Sequence, residues 1–190
     1  GEAETWKVLN LMQEYGISAR LTFSNSLLKE EHLSDKICND ICSLFAQNKS
    51  EKNNQTRINI QNASMESCGT QNQKIINSYV SNGVIVHSDL LLNYPELYFV
   101  SSTTKVITDF QEFLKELNRE DFRYVVPDFR LNKEFDKLKT LSEKQKDKVE
   151  FLCNECCWFG CKDRKVCYEA VSHKNLGEDF EHYCKAPDSS

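Results

Sequence analysis

The stretch YFVSSTTKVITDFQEFLKELNREDFRYVVPDF, residues 98–129, decides the fold class. It begins with YFV and ends with FRYVV before Pro127, and both runs have the aromatic and β-branched composition of buried strands. Asp109 stands where a helix N-cap belongs, and four large apolar residues recur behind it at helical spacing. These four are Phe110, Phe113, Leu114 and Leu117. A strand, a helix and a strand in this order predict a βαβ unit and a parallel sheet.

The same alternation continues on both sides of this unit. Apolar runs typical of strands recur over residues 17–25, 83–89 and 149–153. Helical periodicity recurs over residues 5–16, 26–47, 132–148 and 164–174. The chain has neither a G-x-G-x-x-G motif nor a P-loop, which argues against a nucleotide-binding doubly wound sheet. We predict one α/β domain over residues 1–190 with a (β/α) TIM-barrel-like fold. The barrel is partial or incomplete, because about five strands stand against the eight of a full barrel.

Residues 46–82 differ sharply in composition from the rest of the chain. Asn, Gln, Ser and Lys dominate this stretch, and little of it has the apolar period of a core element. We interpret it as an Asn/Gln-rich insertion or flexible loop that offers a docking segment to a protein partner.

Charge and composition narrow the choice of partners and of location. The net charge is −5 and basic residues are interspersed with acids, so we expect no nucleic-acid partner. No apolar stretch approaches the roughly 18–20 residues that cross a bilayer, and the first residues lack the pattern of a signal peptide. Six of the nine cysteines cluster at one end of a chain long enough to fold without disulfides. We therefore expect a reducing, cytoplasmic location and no membrane partner.

Polar residues follow the predicted strands at the points where the strands end. In parallel α/β folds, functional side chains collect at these carboxyl ends. As candidate catalytic residues, which would bind or polarise a small-molecule or peptide substrate, we select Asp89, Lys105, Asp128 and Arg130. Each has a structural alternative: the two aspartates could cap the helices that follow them, and the arginine could pair with a carboxylate. His87 is more often a satisfied, partly buried histidine than a catalyst.

Five cysteines lie within fifteen residues of the segment VEFLCNECCWFGCKDRKVCYE, residues 149–169. Thiolates repel one another and need a compensating cation, which a zinc ion or an iron–sulfur cluster supplies. We predict that residues 153–185 form a cysteine-rich metal-binding segment in the C-terminal loop. The predicted ligands are Cys157, Cys161, Cys167 and Cys184, and the reserve ligands are Cys153, Cys156 and His182.

The identity of the metal stays open at this point. The spacing C-x3-C-x5-C, which begins at Cys157, matches neither the radical S-adenosylmethionine signature nor the paired C-x2-C of a zinc ribbon. A set of disulfides, and thiols that are inert or separately reactive, are the alternatives to metal ligation.

Four stretches together resemble the collagenase-like peptidase family, which includes the ubiquinone-hydroxylation iron–sulfur proteins: residues 82–91, 98–109, 122–132 and 149–161. The resemblance covers roughly residues 82–185. Residues in places similar to the family's motifs are Asp89, Ser101, Ser102, Gly160 and Cys161. The resemblance implies a TIM barrel and a [4Fe–4S] cluster held by the cysteine-bearing loop.

Two functional hypotheses emerge from these patterns. The first is a metal- or iron–sulfur-binding TIM-barrel-like enzyme or enzyme subunit that acts on a small polar substrate. The alternative is a non-catalytic module in which a structural zinc site stabilises the C-terminal loop and supports a protein interaction.

Overall fold

The structure is a computed structural model that describes residues 2–15, 17–47, 82–93, 96–155 and 157–186. The chain divides into two compact units. Unit 1 draws on Gly1–Leu21, Asp35–Val84 and Tyr94–Tyr98, and unit 2 on Thr22–Ser34, Ile85–Asn93 and Phe99–Ser190. The boundary runs through the strands of one sheet, so the single domain over residues 1–190 stays a prediction. Nearly all of the predicted insertion over residues 46–82, with Cys68, lies outside the described residues.

Four strands form one sheet in the order β1-β2-β3-β4. They are β1 (Arg20–Phe23), β2 (Gly83–Val86), β3 (Tyr98–Ser101) and β4 (Phe122–Val125). The ladder between β3 and β4 is parallel, with Phe99 opposite Phe122 and Ser101 opposite Val125. The carboxyl ends of β1, β2 and β3 belong to unit 2, together with all of β4.

The described residues form six α-helices. They are α1 (Glu2–Tyr15), α2 (Lys36–Gln47), α3 (Phe110–Asn118), α4 (Phe135–Leu138), α5 (Glu143–Lys146) and α6 (Arg164–Asn175). The predicted βαβ unit is confirmed, because α3 connects β3 to β4. Asp109 is its N-cap and accepts hydrogen bonds from the backbone N–H groups of Gln111 (2.9 Å) and Glu112 (3.0 Å). The apolar face of α3 buries Phe113 and Leu117 in the core of unit 2.

Two long helical predictions are interrupted. Residues 132–148 form α4 and α5 instead of one helix, because Ser142 begins a new helix with a capping box: Gln145 donates its backbone N–H to the Ser142 hydroxyl and accepts from the Ser142 backbone. Residues 26–47 give a 3-10 helix over Glu30–Ser34 and then α2. Asp35 separates them and accepts a 2.7 Å hydrogen bond from the Cys38 backbone.

The predicted strand over residues 149–153 is reduced to a single parallel bridge between Val149 and Val125. Glu150 still donates its backbone N–H to the Val125 carbonyl at 3.1 Å. Beyond it, the carbonyl of Leu152 accepts from the Asn132 side chain at 3.0 Å, so a side chain replaces the ladder partner.

The same local structure, a capped 3-10 helix, follows β2, β3 and β4. Each of these strands leads into a short 3-10 helix: Asp89–Leu91, Thr103–Lys105 and Phe129–Lys133. The residue before each helix is its N-cap, and its side chain accepts a backbone N–H two residues on. These caps are Ser88, Ser102 and Asp128. The capping alternative is therefore confirmed for Asp128, whereas Asp89 is the first residue of its helix.

Unit 1 is built around helices α1 and α2. Its buried residues include Leu9, Met12 and Phe45, and Cys42 is buried while Cys38 is exposed. Asn82 ties the unit together, because its side chain accepts from the Ala19 backbone (2.9 Å) and donates to the Phe45 carbonyl (3.0 Å). The architecture is mixed α/β with a four-stranded parallel sheet, as predicted, and this sheet of the described residues is not closed into a barrel.

Candidate functional site

Helix α6 lies against the loops that follow β1 and β3, within unit 2. Arg164, its first residue, donates to the Thr103 hydroxyl at 3.4 Å. Near its other end, the Ser172 carbonyl accepts from the Asn25 amide (3.1 Å), and the Ser172 hydroxyl accepts from the Ser26 backbone (3.0 Å). The helix therefore reaches the carboxyl ends of the strands, where parallel folds place their functional groups.

Asp128, which is 0% exposed, accepts several hydrogen bonds in this region. Its Oδ1 accepts from the backbone N–H (3.0 Å) and the Nε (2.6 Å) of Arg130, and its Oδ2 accepts from the same guanidinium at 3.1 Å. Arg130 also donates to the Cys161 carbonyl at 2.9 Å. The buried Asp128 carboxylate thus holds the Arg130 guanidinium in place, and its predicted catalytic role stays a prediction.

Arg164, which is 3% exposed, shares the Asp128 carboxylate. Its Nε lies 3.2 Å from Asp128 Oδ2, but its N–H is not directed at that oxygen and has no hydrogen-bond partner. Its terminal nitrogen binds the Glu155 carboxylate (2.5 Å) and the Tyr168 hydroxyl (2.7 Å). Burial of the guanidinium is thus offset by two carboxylates, as a buried charge requires.

Cys157 and Cys161 form a first pair of thiols beside Arg164. Burial is the main cause that raises the pKa of the Cys157 thiol, and the neighbouring Cys161 thiol raises it further. Arg164 acts in the opposite direction on the same thiol. The Cys157 backbone donates to Glu155 at 3.0 Å, and the Cys161 backbone donates to the Trp158 carbonyl at 3.0 Å, so the loop turns back on itself.

Cys167 and His182 form a second donor pair, with Cys167 Sγ 2.9 Å from His182 Nε2. Burial raises the pKa of Cys167, and the charges of Cys161, Cys184 and Asp163 raise it further. The tail that carries Cys184 is held by an ion pair of 2.9 Å between Lys185 and Asp163.

The predicted ligands therefore gather as two donor pairs and a returning tail. Among the described residues, no three His, Cys, Asp or Glu side chains are arranged so that they could hold one metal ion. Sulfur and imidazole are nevertheless the donors that zinc and iron–sulfur clusters use. The donor chemistry fits such a group, and binding requires the two pairs to close on each other.

Of the two reserve cysteines, Cys153 alone belongs to the described residues. Cys153 is exposed and lines an open cavity of about 540 Å³ whose walls are mainly apolar. The apolar lining residues are Phe135, Leu138, Leu141, Val149 and Phe151. Cys156 lies outside the described residues.

Asp89 and Lys105 belong to a separate ion-pair network beside α3. Lys105 Nζ lies 2.6 Å from Glu116 and 3.6 Å from Asp89, and Arg119 binds Asp89 at 2.9 Å. Glu116 also accepts from the Ser101 hydroxyl at 2.6 Å. The four predicted catalytic residues are thus divided between two networks, one around Asp128 and one around Glu116.

Sequence reasoning missed two participants in this region: Arg164 and Tyr168. The signal for Arg164 and Tyr168 was present, because an arginine and a tyrosine four residues apart lie on one face of a helix. Their contacts with Glu155 and Asp128 bring together segments distant in sequence, which no local spacing reveals.

No protein family, curated protein or solved structure matches the chain. The resemblance to the collagenase-like peptidase family therefore stays a prediction. No helix among the described residues has the length and apolar character needed to cross a membrane.

Proposed function

We propose that the chain is a zinc- or iron–sulfur-binding, TIM-barrel-like enzyme or enzyme subunit that acts on a small polar substrate. The strand order supports the barrel-like part. The four strands follow their sequence order across the sheet, and Val149 continues the same direction beyond β4. Barrels have this sequential order, whereas doubly wound sheets reverse it at a switch point.

The single observation that supports the metal site is the 2.9 Å contact between Cys167 Sγ and His182 Nε2. This contact joins helix α6 to the tail that carries Cys184, and Cys157 and Cys161 lie in the cysteine loop directly before the same helix. Thiolates in one place are unfavourable without a cation. Two arginines stand beside them, and a negatively charged thiolate–metal group would be balanced by Arg130 and Arg164.

The remaining choices concern the metal and its role. A zinc ion would supply a Lewis acid or a fixed structural cross-link, and an iron–sulfur cluster would supply electron transfer. The chain's own contribution is to hold the thiols on a rigid frame through Arg130 and the buried Asp128. The seven described cysteines are free thiols, in keeping with the expected cytoplasmic location.

Metal analysis of freshly prepared protein tests this proposal. The protein is purified without oxygen, and zinc, iron and inorganic sulfide are measured per chain. We expect stoichiometric zinc, or iron with sulfide and a brown colour, and a loss of that metal in Cys161→Ser and Cys167→Ser. Cys38→Ser, which removes an exposed thiol in unit 1, is the matched control and should retain it. Metal-free wild-type protein would refute the site.

A second candidate, a non-catalytic interaction module with a structural zinc site, is favoured by exposed aromatic residues beside the thiols. Trp158 is 45% and Phe159 48% exposed in the cysteine loop, and Tyr183 is 77% exposed in the tail. Under this alternative, zinc removal unfolds the loop and a protein partner docks on it or on residues 46–82. Hydrogen exchange of the cysteine loop with and without zinc, followed by a ligand screen on the folded protein, separates the two.

A further inference from the structure

A second cavity of unit 2 has a volume of about 390 Å³ and is lined by the end of α3, the start of β4 and helix α5. Its volume is that of a small-molecule site. Its apolar lining comes from Leu117 and Phe122, which are both buried, and none of the described cysteines lines it. The charged residues of the lining are four cations and one carboxylate: Arg119, Arg123, Lys144, Lys148 and Glu120.

Lys148 lines this cavity and has one N–H group that no described residue accepts. Its Nζ donates to the Leu117 carbonyl at 2.7 Å and to the Arg119 carbonyl, both at the C-terminal end of α3. An ammonium has three N–H donors, so the third has no acceptor among the described residues. No described carboxylate forms an ion pair with this nitrogen either. Burial lowers the pKa of Lys148, and the charge of Lys144 lowers it further.

The lining of this cavity has a surplus of positive charge. Lys144 is exposed on α5 and, like Lys148, forms no ion pair within the described part of the chain. Arg119 already binds three carboxylates outside the lining. Glu120 is the one carboxylate among the described lining residues. Two lysines without ion pairs therefore stand against a single carboxylate, in a chain whose net charge is −5.

A phosphate monoester matches this lining in charge and in shape. Its phosphate carries about −1.5 to −2 charges at pH 7 and has three strong acceptor oxygens. Such a group balances two ammonium groups and accepts their free N–H donors. The Lys148 ammonium already binds the carbonyl oxygens at the end of α3, which offsets the negative end of that helix. The ester group would lie against Leu117 and Phe122.

We propose that this cavity binds small phosphate monoesters, with Lys144 and Lys148 as the residues that hold the phosphate group. The site goes beyond the proposed metal function and shares no residue with the predicted thiol ligands, so each can fail without the other. The structural alternative is that Lys148 only caps α3. In that case, the charges of Lys144 and Glu120 have no effect on the binding of an anion.

Titration of the full chain with glycerol phosphate, followed by amide NMR, tests whether the cavity binds its ligand. The experiment is done at about pH 7.5, where the monoester is a dianion, and at constant ionic strength in chloride. We expect saturable shifts confined to residues 117–123 and 142–148. Glycerol, which lacks the phosphate, should give none. No saturable shifts, shifts centred elsewhere, or equal shifts with glycerol would each overturn the proposal.

Variants of opposite charge effect test which residues hold the phosphate. Lys144→Gln should weaken the binding about three- to fivefold, and Glu120→Gln should strengthen it about twofold. The matched controls are Lys174→Gln on α6 and Glu112→Gln on α3, which remove the same charges from exposed positions outside the cavity and should bind as the wild type does. Equal effects in variants and controls, or no effect in Lys144→Gln, would overturn the proposal.

Lys148→Gln tests the half-buried lysine itself. Its amide retains an N–H donor for the two carbonyls and removes the charge, so it should weaken the binding at least as much as Lys144→Gln. The amide spectrum of the free variant shows whether it is folded. Wild-type affinity in folded Lys148→Gln contradicts the proposal, and if this variant does not fold, Lys144→Gln and Glu120→Gln decide it.

Discussion

The Sγ atom of Cys167 lies 2.9 Å from Nε2 of His182, fifteen residues along the chain. This contact links α6 to the tail that brings Cys184 back to the thiols. His182 thus contacts the helix alongside the ion pair between Lys185 and Asp163, and it stays a reserve ligand of the predicted site.

His182→Ala is therefore expected to weaken metal retention about tenfold or more, the usual cost of losing a ligand's support. The measurement is the metal remaining after dialysis against a graded series of chelator concentrations. Tyr183→Ala removes the exposed neighbouring side chain and should behave as the wild type. Equal retention in the two variants would remove His182 from the site.

Asp128→Asn should destabilise the protein by about 3–5 kcal/mol, because it leaves the buried Arg164 charge without one of its two carboxylates. The measurement is the free energy of unfolding in urea. Asp136→Asn, at an exposed ion pair with Lys139, is the control and should leave stability unchanged within error. A loss at Asp128 no larger than the control contradicts the structural role assigned to this carboxylate.

Lys105→Met should lower the free energy of unfolding by about 1–3 kcal/mol and leave the metal content unchanged. The reason is that the Lys105 ammonium forms an ion pair with the Glu116 carboxylate of α3. Lys115→Met, an exposed lysine on α3, provides the comparison in the same urea experiment. If Lys105→Met abolishes binding of a substrate and leaves the free energy of unfolding unchanged, the result contradicts this structural role and supports the catalytic role predicted from the sequence.

Zinc binding to metal-free protein should release protons and strengthen as the pH rises. Burial raises the pKa of both Cys157 and Cys167, and the neighbouring sulfurs raise it further, so both thiols are protonated at pH 7. Each proton displaced makes the apparent affinity about tenfold tighter per pH unit. Calorimetry in two buffers of different protonation enthalpy counts these protons. An affinity that does not change between about pH 6 and 8 rules out thiolate ligation.

The parallel sheet and its βαβ unit could be predicted because both depend on local patterns. Asp109 and the apolar face of α3 set a helix between two β-branched runs, and each signal lies within one short stretch. The break between α4 and α5 had a local cause too, the capping box of Ser142 and Gln145, which the polar periodicity of residues 132–148 concealed.

The arrangement of the site could be predicted only in part. The polar strand ends were identified, but their division into two networks depends on which carboxylate each cation reaches in space. Lys105 forms an ion pair with Glu116, and Arg130 forms one with Asp128. Nothing in the sequence spacing of these residues distinguishes these partners from other carboxylates. Arg164 was missed for the same reason.

X-ray absorption at the metal edge of the purified protein tests the central claim most directly. For zinc, the account predicts a first shell dominated by sulfur at about 2.3 Å, and a sulfur count that falls in Cys161→Ser. For iron, it predicts the sulfur shell of a cluster. A first shell of oxygen and nitrogen alone, or a sulfur shell that Cys161→Ser leaves intact, would contradict it.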